Sequence, residues 1–295
     1  MMNKIVYILF FSFCCTACNK KIDVKNVVFN VTTNSATYQV GDTVNFNFSG
    51  NPDIITFYSG EAGSIYSNRN RDTASGNITA NFYTARLYGN STKALSFLVS
   101  NDFSGIYDST NLTNATWTDI SFRAAFGTTS TPTSSGNINL NDFVNPQQPL
   151  FLAFRYIGLI GPGIKQSRWN VNSFNVNNTL TDSTSYTLAD ILSASWTSVS
   201  IINDSLARKW NIGSTGLFIN SSTVANEQWV VTKPLQCNSV VPDNGVTIKG
   251  TSSKMTVYPY VYSKPGIYHI AFIGINANAY GQNSVVRTLT LTIKQ

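Results

Sequence analysis

The chain has 295 residues, of which 42% are hydrophobic, 13% aromatic and 12% charged, with a formal net charge of +6. Moderate hydrophobicity with weak charge excludes an intrinsically disordered chain, and Asn, Ser and Thr must supply the surface polarity that charged residues give an average domain. A single His and only two Glu, Glu61 and Glu227, leave little room for His-rich metal centres or acid–base chemistry, and the scattered basic residues lack the clustering that nucleic acid requires as a partner.

Lys4 opens a short positive region, and Ile5 to Phe13 is an apolar run too short to span a bilayer comfortably. Cys15-Thr16-Ala17-Cys18 follows, with small residues before Cys18 and Asn19-Lys20-Lys21 after it. These residues resemble a bacterial lipobox. The resemblance implies a lipoprotein signal peptide over 1–17, lipidation of Cys18 and an anchor linker over 18–24; the alternative is an ordinary secretory signal cut near Ala17. With Cys14 and Cys15 removed and Cys18 lipidated, Cys237 is the one thiol left, so no intramolecular disulfide is expected. A lipid anchor would hold the chain at a membrane, and Lys20-Lys21 would add electrostatic attraction to it.

Val27 to Thr32 reads as a first strand and Tyr38 to Asp42 as a turn. Thr43 to Phe48 alternates, with Val44, Phe46 and Phe48 on one face and Thr43, Asn45 and Asn47 on the other, as an antiparallel strand with one wet face does. Asn51-Pro52-Asp53 turns the chain into a third strand, Ile54 to Tyr58. A polar stretch then breaks the pattern as far as Gly76.

Within the middle of the chain, Ala94 to Val99, Ala115 to Ile120, Arg168 to Val176, Leu217 to Ile219 and Trp229 to Val231 read as strands. Pro149 to Tyr156 is nearly continuously apolar, as a central strand buried on both faces would be. Leu188 to Leu192 reads as a short helix. Many short strands with polar turns predict a jelly roll or second sandwich. At the end, Lys264-Pro265-Gly266 turns into a strand from Ile267 to Ile275, and Ser284 to Ile293 closes the chain with Val285, Leu289, Leu291 and Ile293 inward and Thr288, Thr290 and Thr292 outward. Gly266-Ile267-Tyr268 resembles the corner before the sixth strand of an immunoglobulin domain, where the Tyr hydroxyl bonds back to the backbone.

The strands at either end are too few to close a sandwich separately, but together they make about the seven an immunoglobulin-like domain needs. The expected class is therefore all-β, with an immunoglobulin-like sandwich (25–72 and 246–295) split by a jelly-roll insert over 73–245. Two serial domains are the alternative.

Tyr38 to Val44, Phe46 to Asp53 and Ile55 to Glu61 resemble the opening of a family of Bacteroidota lipoproteins, the domain of unknown function 5017. Leu95 to Phe103, Ala115 to Ser121, Ala153 to Tyr156 and Glu227 to Val231 resemble galactose-binding-like jelly rolls of the choice-of-anchor group. The final strands resemble polycystic-kidney-disease-type immunoglobulin-like repeats. These resemblances imply an outer-membrane lipoprotein on the surface or periplasmic face, beside a polysaccharide transporter, holding a glycan or touching transporter components.

Sugar binding needs an aromatic face for pyranose C–H groups and planar polar side chains for hydroxyls. Trp169 follows the glycine-rich loop Gly158 to Gly163 and is flanked by Arg168 and Asn170, so these three are candidate ligand contacts; Trp196 and Trp210 are further candidates. Trp117 and Trp229 read as core. A structural calcium ion is a candidate guest, with Asp102, Asp108 and Asp119 as its oxygen donors. No catalytic residue emerges: His269 stands on a strand, no G-x-S-x-G elbow exists, and no two carboxylates are marked as a pair. The resulting expectation is a non-catalytic glycan-binding accessory protein. The alternative is a structural or adhesive protein that binds another envelope or host protein.

Overall fold

A computed structural model describes residues 23–204 and 208–295. The expected signal peptide over 1–17, the expected lipidation at Cys18 and most of the expected linker lie outside the described residues. By its internal contacts the chain divides into two compact units: the described residues up to Tyr66 join Asn244–Gln295 in an outer unit, and Ser67–Asp243 forms an inner one. The strand pattern in the sequence puts these junctions at 72/73 and 245/246.

The outer unit is built from β1 (Phe29–Thr32), β2 (Thr37–Gln39), β3 (Thr43–Gly50), β4 (Ile54–Tyr58), β17 (Val246–Lys249), β18 (Val257–Val261), β19 (Gly266–Asn278) and β20 (Gly281–Lys294). One sheet has the order β1-β3-β18 and the other β17-β4-β19-β20-β2. This is the strand arrangement of an immunoglobulin-like sandwich. The alternation in β3 is realised, with Val44, Phe46 and Phe48 buried and their neighbours exposed. Phe46 meets Phe57 and Phe272 at ring-centroid distances of 5.7 and 5.0 Å. The Tyr268 hydroxyl donates to the Lys264 carbonyl at 2.9 Å, which ties the turn to the start of β19.

Two details differ from the sequence reading. Thr37–Gln39 is a short strand parallel to the end of β20, paired with Thr292–Lys294, so the expected turn is confined to Gln39–Asp42, closed by the Asp42 N–H on the Gln39 carbonyl at 3.1 Å; nothing local signals a three-residue strand whose partner lies at the far end of the chain. The chain leaves after β4 and returns at β17, and these two strands pair directly, with Thr56 opposite Thr247. The two ends of the insertion are thereby held side by side, the condition under which a domain insertion is tolerated.

The inner unit is a second antiparallel sandwich. Its five-stranded sheet has the order β13-β16-β10-β6-β7, from β6 (Leu95–Ser100), β7 (Thr118–Asp119), β10 (Phe151–Gly158), β13 (Thr197–Ile202) and β16 (Asn226–Val231). The facing sheet is built on β5 (Asn77–Leu87), β11 (Arg168–Thr179), β14 (Asn211–Gly213) and β15 (Gly216–Ile219) in the order β14-β15-β11-β5, with β8 (Thr133–Ser134), β9 (Ile138–Asn139) and β12 (Ser185–Asp190) at its margins. Phe82, Phe97, Phe154 and Phe174 meet between the sheets. The five-stranded sheet is covered on its other face too: Phe151, Ala153, Trp229 and Val231 pack under Phe103, Trp117 and Leu112 of the short helix α1 (Ser109–Asn114). The apolar run of β10 is therefore buried on both faces, as its composition requires.

Leu188 to Leu192 is not helical. Leu188 to Asp190 belong to β12, where Ala189 and Asp190 pair with Val176 and Asn175 of β11, and the Asp190 carboxylate then holds the following turn by accepting the backbone N–H groups of Leu192 and Ser193 at 2.9 and 2.7 Å. The ends of the inner unit close on each other through the Thr73–Ser239 bridge and the Arg71–Asp243 ion pair at 3.2 Å.

Candidate functional site

Strand register brings three loops to one end of the inner sandwich. Leu87 at the end of β5 lies opposite Arg168 at the start of β11, and Trp169 lies opposite Ile219 at the end of β15. In the other sheet, Tyr156 near the end of β10 faces Leu95, and Gly158 faces Asn226 at the start of β16. The β5–β6, β10–β11 and β15–β16 connections therefore meet, and with Arg208 of the β13–β14 connection they line an open cleft of about 730 Å³, within the ordinary range for a ligand pocket.

Gln166 forms the floor. It is 5% exposed. Its Nε2 donates to the Val224 carbonyl at 2.8 Å, and its Oε1 accepts the Ser222 N–H at 2.9 Å and the Asn226 Nδ2 at 3.1 Å. One side chain thus fixes two loops. Two glycines permit this packing: a Cβ on Gly158 would stand 2.6 Å from Gln166 Oε1, and one on Gly89 would stand 2.2 Å from the Gln166 carbonyl oxygen. Asn90 locks the third loop in place. Its N–H donates to the Lys165 carbonyl at 2.9 Å, and its Oδ1 accepts the Lys165 N–H at 2.8 Å.

Tyr88, 74% exposed, stands on the lip of the cleft beside Leu159, Ile160 and Ile164, which are 43–57% exposed. Its backbone has φ of 57°, a left-handed conformation that a bulky side chain adopts only at a cost. Strain of this kind concentrates at binding and catalytic sites. Lys165, Arg208, Ser221, Ser222 and Thr223 complete the polar lining.

The tryptophans expected to touch ligand are packed in the core instead. Trp169, Trp196 and Trp210 are 1%, 7% and 4% exposed. Trp196 lies 4.8 Å from Phe174 and donates to the Ile191 carbonyl; Trp210 donates to the Gln228 carbonyl. Their rings sit at inward positions of the sandwich, so no face is offered to a sugar. Arg168 and Asn170 point to the other side of β11, where the Arg168 guanidinium covers the Phe218 ring at 4.2 Å and its Nε donates to Asn170 Oδ1 at 3.0 Å. Neither lines the cleft. The glycine-rich loop does line it, but the aromatic it presents alongside comes from the β5–β6 connection. The sequence signal for Tyr88 is a Tyr-Gly-Asn-Ser turn directly after an alternating segment.

Asp102, Asp108 and Asp119 do not converge. Asp102 accepts from Ser100 Oγ and the Thr116 N–H, both at 2.8 Å; burial pushes its pKa upward, but these hydrogen bonds outweigh it and hold the carboxyl below its ordinary range. Asp108 caps α1 by accepting the Asn111 N–H at 2.7 Å, the main cause of its lowered pKa. Asp119 holds a turn through the Ser121 N–H at 2.8 Å. Among the described residues no group of three or more His, Cys, Asp or Glu is arranged to hold a metal ion.

Glu227 is tied to Arg155 Nε at 2.8 Å and to Trp229 Nε1 at 2.9 Å. Glu61 accepts the Tyr260 hydroxyl, and His269 is exposed on β19 beside Thr290 Oγ1 at 3.2 Å. Burial pushes the Cys237 thiol up to about 11.

These features define an all-β protein of two sandwich units with a loop-lined cleft at one end of the inner one. The chain belongs to the family described as domain of unknown function (DUF5017), which matches residues 17–196 and so reaches from the start of the outer unit to the end of the β12 turn. No curated protein and no solved structure matches it.

Proposed function

We propose that this protein is a non-catalytic, lipid-anchored glycan-binding accessory protein of the cell envelope that serves a polysaccharide-uptake system. The observation that carries the reading is Tyr88, an exposed aromatic held in a strained backbone at the lip of a cleft of about 730 Å³. An aromatic side chain of this kind can lie against the C–H face of a pyranose, and the hydroxyls of Ser221, Ser222 and Thr223 suit the sugar's hydroxyls. Binding loops carried at the end of a rigid sandwich are a recurrent arrangement, and a galactose-binding-like reading of the inner unit is consistent with it. Both Glu side chains are committed to structural partners, Glu227 to Arg155 and Trp229 and Glu61 to Tyr260, which supports a binding role over a hydrolytic one.

Affinity electrophoresis against a broad polysaccharide panel tests the binding role. Retardation on at least one glycan, lost in Tyr88→Ala, is expected; retardation on none of them would remove the reading. Anchoring is tested separately by membrane fractionation, with the chain expected to move to the soluble fraction in Cys18→Ala.

A second reading, a structural or adhesive protein with a protein partner, is favoured by one observation: Leu159, Ile160 and Ile164 are large apolar side chains exposed together on one loop. Cross-linking from envelope extracts discriminates. A stoichiometric protein bound through this loop, with no sugar required, favours the second reading.

A further inference from the structure

Charges are scarce in this chain at 12% of residues, so two cations sharing one concave surface without a carboxylate are informative. In the inner unit, Arg71, Arg123, Arg155 and Lys209 each meet a carboxylate, on Asp243, Asp142, Glu227 and Asp204 respectively, Arg86 is held by the Thr128 carbonyl and Arg168 by the Phe218 ring, and Lys93 and Lys233 make no ion pair among the described residues. Lys165 and Arg208 are set apart by lining one cleft together. Lys165 and Arg208 have no ion-pair partner among the described residues, and no Asp or Glu is among the residues lining the cleft.

Both are positioned by the protein. The backbone of Lys165 is bound on both sides by Asn90, which fixes where its flexible stem begins. Arg208 Nε faces Ser222 Oγ at 3.4 Å, the same Ser222 whose N–H is held by the buried Gln166. Two like charges on the wall of one concave surface, with no carboxylate to neutralise them, raise the local positive potential and favour anions there. A guanidinium offers paired donors that match a carboxylate or sulfate, and an ammonium adds a compact point charge.

We propose that this cleft binds an anionic glycan, a chain bearing uronate carboxylates or sulfate esters, with Lys165 and Arg208 on the anionic groups and Tyr88 against a ring face. The inference rests on the glycan-binding reading above and names its ligand class. A purely neutral sugar would leave both cations facing the ligand without a partner.

The test is affinity electrophoresis and calorimetry of the full-length chain in detergent with three probes: polygalacturonate, which carries carboxylates; carrageenan, which carries sulfate esters; and a neutral galactan. Binding to at least one acidic probe is expected, with preference over the neutral one, and the acidic probe that binds identifies the anion. Affinity should fall by about fivefold or more between low and high salt. The double substitution Lys165→Gln with Arg208→Gln should weaken binding by about tenfold or more without moving the thermal unfolding midpoint. Lys25→Gln with Lys254→Gln, the same charge change at exposed positions of the outer unit, should leave affinity unaltered. Equal binding to the neutral galactan, or equal loss in both double variants, overturns the anionic preference while leaving glycan binding intact. Retardation by none of the three probes overturns it too, and failure across the wider panel then removes the glycan-binding reading with it.

Discussion

Tyr88 concentrates the tension between stability and use at a single position. Its φ of 57° is unfavourable for a bulky side chain, and its ring is too exposed to recover much by burial. Asn tolerates the left-handed conformation far better. Tyr88→Asn is therefore expected to raise stability by about 0.5–1 kcal/mol, read as a higher denaturant midpoint with unchanged slope, while glycan retention falls. A lower midpoint would show that the ring is held by packing and not merely displayed. Cys237 is the opposite kind of residue. It is 5% exposed and its thiol is pushed up to about 11 by burial, so little thiolate exists at neutral pH. Thiol reagents at pH 8 should modify it only as fast as the protein unfolds, and stoichiometric labelling of the native chain would contradict this.

The Tyr268 corner shows what one hydrogen bond does for a strand. The hydroxyl bond to the Lys264 carbonyl fixes the turn from which β19 departs, and β19 is the central partner of both β4 and β20. Tyr268→Phe keeps the ring and removes the bond, so a loss of about 1 kcal/mol is expected in denaturant unfolding, with the secondary structure retained. Not every element was readable from the chain. The alternation of Ile78, Ala80 and Phe82 is present in β5, yet Ala, Thr and Asn dilute it, and the eleven-residue strand that pairs along nearly the whole of β11 did not emerge from the sequence reading. The helix α1 was hidden in the same way, because Asp108 reads as a candidate metal ligand until its capping bond to Asn111 is seen.

The molecule as a whole is a chain that leaves one sandwich after its fourth strand, builds a second and returns. The inner unit has its own core between two sheets, and its ends are joined by the Thr73–Ser239 bridge and the Arg71–Asp243 pair. A polypeptide covering Ser67–Asp243 alone should therefore fold, with dispersed amide resonances and a cooperative thermal transition; a molten or insoluble product would show that it depends on the outer strands. Alkali should weaken both units. Burial pushes the Tyr156 phenol up to about 12 in the inner unit, and burial followed by the bond to Glu61 does the same for Tyr260 in the outer one. A phenol raised above its ordinary 10.0 contributes stability that is complete below pH 10 and is lost as pH climbs towards 12. Chemical denaturation between pH 9 and 12 should trace that decline, and Tyr156→Phe should flatten the part due to the inner unit.

The sequence alone determined the all-β class, the alternation of β3, the doubly buried β10 and the tyrosine corner, because each is written in neighbouring residues: a period of two, an unbroken apolar run, a turn before a Tyr. It also carried the family resemblance. What only the tertiary structure decided is which aromatics face outward and which carboxylates meet. Trp169 and Tyr88 both lie next to glycine-containing turns, but one occupies an inward strand position and the other a loop tip. The cleft is assembled from four connections far apart in the chain, and Asp102, Asp108 and Asp119 are consumed by hydrogen bonds to Ser100 and Thr116, by the cap of α1 and by a turn. Local pattern specifies the strand. The register between strands distant in sequence specifies the site, and that register arises only when the two sheets close over a shared core.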